Sequence, residues 1–273
     1  MTPVSITRGD GPIILGQPHG GTWVPDDLLG RLNDTGRALA DTDWHINRLY
    51  DGLIDNATVV QSHVHRYVVD ANRDPEGTSL YPGQNTTGLC PLTNFDGSAI
   101  WREGQEPSPD EIADRTARYH APYHAALGEE IRRIQSLHGF AVVYDCHSIR
   151  SRIPFLFPGE LPTFSIGTND GLSCAAGIGA ITETICRAAE GYDTAVNGRF
   201  KGGWTTRHYG RPSEGVHAIQ MELAQCSYME EVPPWRYRAE TADHLRAVLS
   251  EILKTIRDRS DRTAVNAEGV AHD

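Results

Sequence analysis

No apolar run in this chain approaches the roughly 20 residues needed to cross a bilayer, so no membrane partner is expected. A basic excess is missing too. With 25 Lys and Arg against 36 Asp and Glu, the net charge is −11, which argues against a general nucleic-acid binder. The opening residues Met1-Thr2-Pro3-Val4-Ser5 lack a basic segment followed by an apolar core, so no secretory leader is expected. The five cysteines (Cys90, Cys146, Cys174, Cys186, Cys226) form no C-x-x-C pair and are odd in number. Reduced thiols in a cytoplasmic protein are the expectation. Neither G-x-G-x-x-G nor G-x-x-x-x-G-K-[ST] occurs, which removes the common nucleotide sites. The G-x-S-x-G elbow of serine hydrolases is absent as well.

What is present suits a single α/β domain. At 273 residues and 39% hydrophobic content the chain can bury a substantial core. Apolar runs predict strands over 12–16, 57–62, 140–146, 163–167 and 217–223. Helical spacing predicts helices over 34–55, 109–137, 173–189 and 235–256. Strands alternating with such helices imply a parallel or mixed sheet covered on both faces. The stretch Asn72–Pro107 is rich in Gly, Pro, Asn and Thr and has no period, which marks a functional or disordered insertion. Residues 1–257 read as one catalytic domain, and 258–273 as a polar, mobile tail.

Two apolar strands end in a histidine: Ile13-Ile14-Leu15-Gly16-Gln17-Pro18-His19-Gly20-Gly21 and Phe140-Ala141-Val142-Val143-Tyr144-Asp145-Cys146-His147. Ligands of open α/β sheets bind at the carboxyl ends of strands. Two imidazoles delivered there can share a metal ion, and a catalytic zinc takes a third protein ligand and leaves one position open. Ala40-Asp41-Thr42-Asp43-Trp44-His45 offers two acids, and spacing does not choose between Asp41 and Asp43. In 217–223, alternation turns Ile219, Met221 and Leu223 to one side, Gln220 and Glu222 to the other. A glutamate in such an apolar strand is either ion-paired or a general base.

Arg66 and Arg73 flank the strand-like centre of 66–75, and either an Arg–Asp turn pair or a carboxylate clamp fits them. The Gly-punctuated segment 201–212 reads as a surface loop or a cover over a site. His120 and His124 have ligand spacing without the H-E-x-x-H base, and Pro122 between them distorts a helix. His63-Val64-His65 reads as a polar strand face. Cys146 beside His147 raises a cysteine-nucleophile reading, although buried cysteine is usually a small hydrophobe.

Taken in order, Pro18-His19-Gly20-Gly21-Thr22, Asp41–His45, Arg66–Pro75, Asp145–Ser148, Gly202–Gly210 and His217–Leu223 resemble the N-formylglutamate amidohydrolase (deformylase) family over about residues 12–255. The resemblance implies a three-layer α/β/α sandwich with a mixed central sheet, zinc-carboxypeptidase-like (phosphorylase/hydrolase-like). It implies hydrolysis of N-formyl-L-glutamate to L-glutamate and formate, a step of histidine degradation. By position it implies His19, Asp43 and His147 as ligands of one Zn2+ per chain, with other divalent ions fitting the same donors. Glu222 corresponds to the general base, and Asn72 and Arg73 to the pair that grips a substrate carboxylate. The carboxypeptidase H-x-x-E spacing is absent, since Thr22 stands three residues after His19.

An acidic substrate with two carboxylates calls for a second cation. Arg150, Arg207 and Arg211 are candidates, and Arg207 is preferred for its Gly-flanked loop. Three other readings remain: a zinc amidohydrolase for another N-acyl amino acid or peptide-like amide, a metal-free protein binding acidic metabolites, and a cysteine hydrolase using Cys146. Nothing in the sequence sets an oligomeric state.

Overall fold

In the computed structural model, residues 2–79 and 83–268 are described, with side-chain surroundings up to residue 259. Seven strands form one mixed sheet: β1 (Val4–Thr7), β2 (Ile13–Gln17), β3 (Thr58–Ser62), β4 (Ala141–Ile149), β5 (Phe164–Gly167), β6 (Thr194–Val196) and β7 (Val216–Ala224). Their order is β1-β3-β2-β4-β7-β5-β6. The central strands β3, β2, β4 and β7 run parallel, while β1 and β5 pair antiparallel to their neighbours β3 and β7. From β2 the chain passes first to β3 on one side, then to β4 on the other. That reversal opens a crevice at the carboxyl ends of the central strands.

The helices are α1 (Asp26–Leu29), α2 (Asp34–Arg37), α3 (Ile46–Tyr50), α4 (Pro109–Arg115), α5 (Ala121–His138), α6 (Ala176–Ala188), α7 (Trp204–Tyr209) and α8 (Ala239–Glu268). One sheet face, with Val142, Tyr144, Ile219 and Met221, packs on Leu49 of α3, Ile178 of α6, and Leu245, Leu249 and Ile252 of α8. The other face, with Ile14, Val143 and Ala218, packs on Tyr123, Leu127, Ile131 and Ile134 of α5. The molecule is therefore the three-layer α/β/α sandwich with a mixed sheet. On the α5 face each central strand changes character along its length. Ala141 and Val143 of β4 give way to Asp145 and His147, and Val216 and Ala218 of β7 give way to Gln220 and Glu222. The amino halves make core, and the carboxyl halves carry chemistry.

The five predicted strands are present within a residue or a few of their expected bounds. The short edge strands β1 and β6 lack a sustained apolar pattern and were not predicted; edge strands need less of one. The helix expected over 34–55 is two short helices separated by a turn, in which Leu39 and His45 adopt left-handed φ of 49° and 60°. That turn carries Asp41 and Asp43. The long helix expected over 109–137 contains a π-turn at Thr116–His120, directly before Pro122. A proline lacks the N–H for a regular turn, and the wider turn accommodates it.

The centre of 66–75 is not a strand: Tyr67 and Val68 lie in a turn and Val69 follows it in irregular backbone, all buried with Trp101 and Leu32. At the C-terminal end α8 continues to Glu268, through the first part of the segment read as a tail; 269–273 lie outside the described residues. Residues 80–82 of the 72–107 insertion do as well.

Candidate metal centre and its cavity

His19 follows β2 directly, and a short backbone link joins it to the acidic turn, where Asp43 N–H donates to the His19 carbonyl at 3.1 Å. Gly21 is required in this passage. A Cβ there would lie 2.3 Å from the backbone carbonyl carbon of His63. His147 lies in β4, in register with Glu222 of β7.

Three donors converge. His19 Nδ1 lies 3.2 Å from His147 Nδ1, and Asp43 Oδ2 lies 3.2 Å from His147 Nδ1 and 3.9 Å from His19 Nδ1. Tetrahedral bonds of about 2.0–2.1 Å would set ligand atoms about 3.3 Å apart, so the triangle has the size a zinc-like ion requires. Among the described residues it is the one His/Cys/Asp/Glu group with such geometry.

The far side of each ring faces a carboxylate. His19 Nε2–H donates to Asp70 Oδ1 at 2.7 Å, and His147 Nε2 lies 3.0 Å from Asp145 Oδ2. The Asp70 carboxylate favours the proton of His19 on Nε2, and both rings turn their Nδ1 atoms to the space shared with Asp43. Burial and the nearby Arg66 push His19 down to about 4, so its ring is neutral near pH 7. Burial alone would lower His147, but the carboxylates of Asp145 and Asp43 beside it hold it well above the ordinary range. Asp43, Asp70, Asp145 and Glu222 are all buried here, with Arg66 the one guanidinium equally buried among them. A field of this kind favours positive charge between the rings, and a metal ion would displace the proton that otherwise supplies it.

Asp43 is the acid at the centre. Its Oδ1 accepts from Arg66 at 3.2 Å, and its Oδ2 from Ser148 N–H at 3.1 Å. Burial would raise it, but Arg66 and His147 keep its carboxyl below the usual range. Asp41 turns away, accepts from Phe95 N–H at 2.8 Å, and lies 3.8 Å from Arg150. Burial pushes Asp41 up to about 6.

Glu222 lines the cavity with His19 and His147. Gln220 Nε2 donates to its Oε2 at 3.1 Å, and Gln220 Oε1 accepts from Gly203 N–H at 2.7 Å. Burial raises Glu222 to about 7, opposed by His147 and Arg66. That value suits a group that must take a proton near neutrality.

Arg73 also lines the cavity. Thr87 accepts from it through both its carbonyl and its hydroxyl, at 3.0 and 3.2 Å. Asn72 lines it too, yet its amide is engaged inside the protein. Its Oδ1 accepts from Thr205 N–H at 2.8 Å, and its Nδ2 lies 3.0 Å from His147 Nε2 and 3.5 Å from Asp145 Oδ2. The arrangement makes Asn72 a brace between β4 and α7. Thr86, Thr87 and Phe95 of the 72–107 insertion form part of the wall.

Arg207 does not. Its Nε donates to the Gly202 carbonyl at 2.9 Å, and it is not on the cavity wall. Arg150 pairs with Asp96 at 2.8 Å, and Arg211 lies 3.5 Å from Glu214. The guanidiniums on the wall belong instead to Arg66, Arg73 and Arg199. Arg199 escaped sequence reasoning because it stands in Asn197-Gly198-Arg199-Phe200, which bears no motif.

Four other histidines, His120, His124, His65 and His63, serve the frame. His120 Nε2 donates to the Arg73 carbonyl at 3.0 Å and His124 Nε2 to the Ala71 carbonyl at 2.7 Å, bracketing Asn72. His65 contacts Thr42 Oγ1 at 3.1 Å, and His63 contacts Ser5 Oγ at 2.9 Å. Cys146 points into the opposite core layer, where burial pushes its thiol well up, so it offers no nucleophile. All five cysteines are free thiols. No described helix is long and apolar enough to cross a membrane.

The chain is similar to known proteins over nearly its whole length. A protein from Pseudomonas aeruginosa described as N-formylglutamate deformylase is 47% identical over 254 residues, covering 93% of this chain and 95% of that one. A second N-formylglutamate deformylase, from Pseudomonas putida, is 42% identical with the same coverage. The crystal structure of N-formylglutamate amidohydrolase from Ralstonia eutropha JMP134 superposes with a TM-score of 0.75 at 27% identity, covering 99% of this chain and all of that one. With residues 11–229 also matching that family as a whole, the chain belongs to the N-formylglutamate amidohydrolase family.

Proposed function

We propose that this enzyme hydrolyses the formyl amide of N-formyl-L-glutamate to L-glutamate and formate, as a step of histidine degradation, with one divalent ion, zinc by preference. The observation that carries the reading is the convergence of His19 Nδ1, His147 Nδ1 and Asp43 Oδ2 in a cavity shared with Glu222 and Arg73. His19, His147 and Asp43 would hold the ion; bound there, it supplies Lewis acidity that polarises a carbonyl oxygen and acidifies a neighbouring water.

The side chains then divide the work. Glu222 takes the proton of the attacking water and returns it to the departing amine. Gln220 holds the Glu222 carboxylate in direction. Arg73 grips a substrate carboxylate away from the reacting bond, which fixes the amide against the donors. Arg66, buried beside Asp43, adds positive charge where the amide oxygen becomes negative. Asn72 braces His147 and α7, and so keeps Arg73 in place.

Incubation with N-formyl-L-glutamate should release glutamate and formate at equal rates. A chelator should abolish release, and stoichiometric zinc should restore it. Full activity in protein shown free of metal would remove the ion from the reading.

A further inference from the structure

We propose that Arg199 is the specificity-determining residue that reads a carboxylate on the substrate's side chain, as the second of two guanidiniums on the cavity wall. The proposal rests on the deformylase reading above and adds what selects an acidic amino acid. Arg73 and Arg199 come from distant parts of the chain, and one short segment ties them together. Arg199 Nη2 donates to the Asn85 carbonyl at 2.9 Å. Arg73 Nη2 donates to the hydroxyls of Thr86 at 3.4 Å and Thr87 at 3.2 Å. Consecutive Cα atoms are about 3.8 Å apart, so residues 85–87 hold the two guanidiniums as neighbours. The carboxyl carbons of a glutamate skeleton are about 5 Å apart when extended over four C–C bonds. Two guanidiniums on one cavity wall can meet the two ends of such a skeleton.

The two arginines are not equivalent. Arg73 lies 3.8 Å from Asp70, which bonds His19, so its neighbourhood is that of the metal donors. Arg199 is anchored elsewhere. Its Nε donates to the Leu156 carbonyl at 3.1 Å, and its guanidinium lies 5.3 Å from the Phe200 ring centroid. Leu156 and Phe200 also line the cavity, an apolar surface suited to methylenes between two carboxylates. Arg73 therefore takes the α-carboxylate beside the reacting amide, and Arg199 takes the carboxylate at the end of the side chain. Its fork is held in direction by backbone carbonyls before the ligand arrives, which reduces the ordering needed on binding.

The test compares N-formyl-L-glutamate with N-formyl-L-glutamine on the metal-loaded enzyme. In Arg199→Gln, kcat/KM for the glutamate substrate should fall by about 30-fold or more, chiefly through KM, the scale of a charged hydrogen-bonded contact. For the glutamine substrate it should change less than threefold. Equal losses on both overturn the proposal. Arg199→Lys, which keeps the charge, should hold a preference clearly above that of Arg199→Gln; equal loss in the two variants also overturns it. Calorimetry with glutarate and butyrate, which carry no formyl group, separates this inference from the reaction. Wild type should bind glutarate at least tenfold tighter than butyrate, and Arg199→Gln should not. That comparison decides the role of Arg199 even if N-formyl-L-glutamate is not turned over; a glutarate preference surviving in Arg199→Gln overturns it.

Discussion

Glu222 is an ordinary side chain whose environment is unusual. It sits in an apolar strand beside Gln220, and burial lifts its carboxyl to about 7. Glu222→Gln keeps the shape and the Gln220 neighbour but cannot take a proton. Turnover should fall by roughly 10² or more with bound metal unchanged, as metal analysis and steady-state kinetics would show. The raised value also fixes the sign of the pH profile. As a general base Glu222 would work deprotonated, so kcat/KM should climb on an acid limb whose midpoint is at or below about 7, since a bound cation would favour the carboxylate. Glu222→Gln should lose that limb. Of the residues read from sequence, His19 and His147 stand out because each follows an apolar run, and Glu222 because it interrupts an apolar strand. Asp43 was not separable from Asp41, since the choice depends on which way a non-helical turn aims two acids. Arg199 could not be read at all; its neighbours in space are Asn85 and Leu156, and no local pattern encodes them.

At the scale of elements, the site is a seam. Helix α7 is pinned at its start to the sheet through Gly203, whose N–H reaches Gln220 of β7, and to the turn carrying Asn72 through Thr205 N–H. A Cβ on Gly203 would lie 2.3 Å from Asn72 Nδ2. Gly203→Ala therefore must displace the Asn72 side chain, which lies against His147, or shift the start of α7. A stability loss of about 1–3 kcal/mol, the usual size of an overpacking strain, should appear in denaturant unfolding together with a drop in kcat. A Gly203→Ala enzyme with wild-type stability and kcat would show that α7 adjusts freely. The segment 201–212 was readable as a loop or a cover; that it braces Asn72 depends on contacts across the sheet. The broken helix over 34–55 teaches the same lesson, because its helical spacing is real but the turn between α2 and α3 is held by His19 and Arg66, far away in sequence.

For the whole molecule, a metal ion held by the donor triangle would be coupled to stability. Three residues from β2's end, the turn before α3, and β4 could share one ion only in the folded chain, so its binding would add to folding free energy. At free metal 100 times the dissociation constant this amounts to about 2.7 kcal/mol. For a chain of this size the melting temperature should then fall by roughly 5–8 °C on chelation and recover with zinc. An unchanged melting temperature would mean that these donors hold no ion.

Sequence alone determined the α/β class, the apolar strands that build the sheet, and the histidines at their carboxyl ends. Those features are written in periodicity, which each segment carries within itself. Tertiary structure decided which acid completes the donor set, which arginines reach the cavity, and that Asn72, His120 and His124 act as frame. Such choices rest on directions and distances between segments far apart in the chain, and no local pattern contains them.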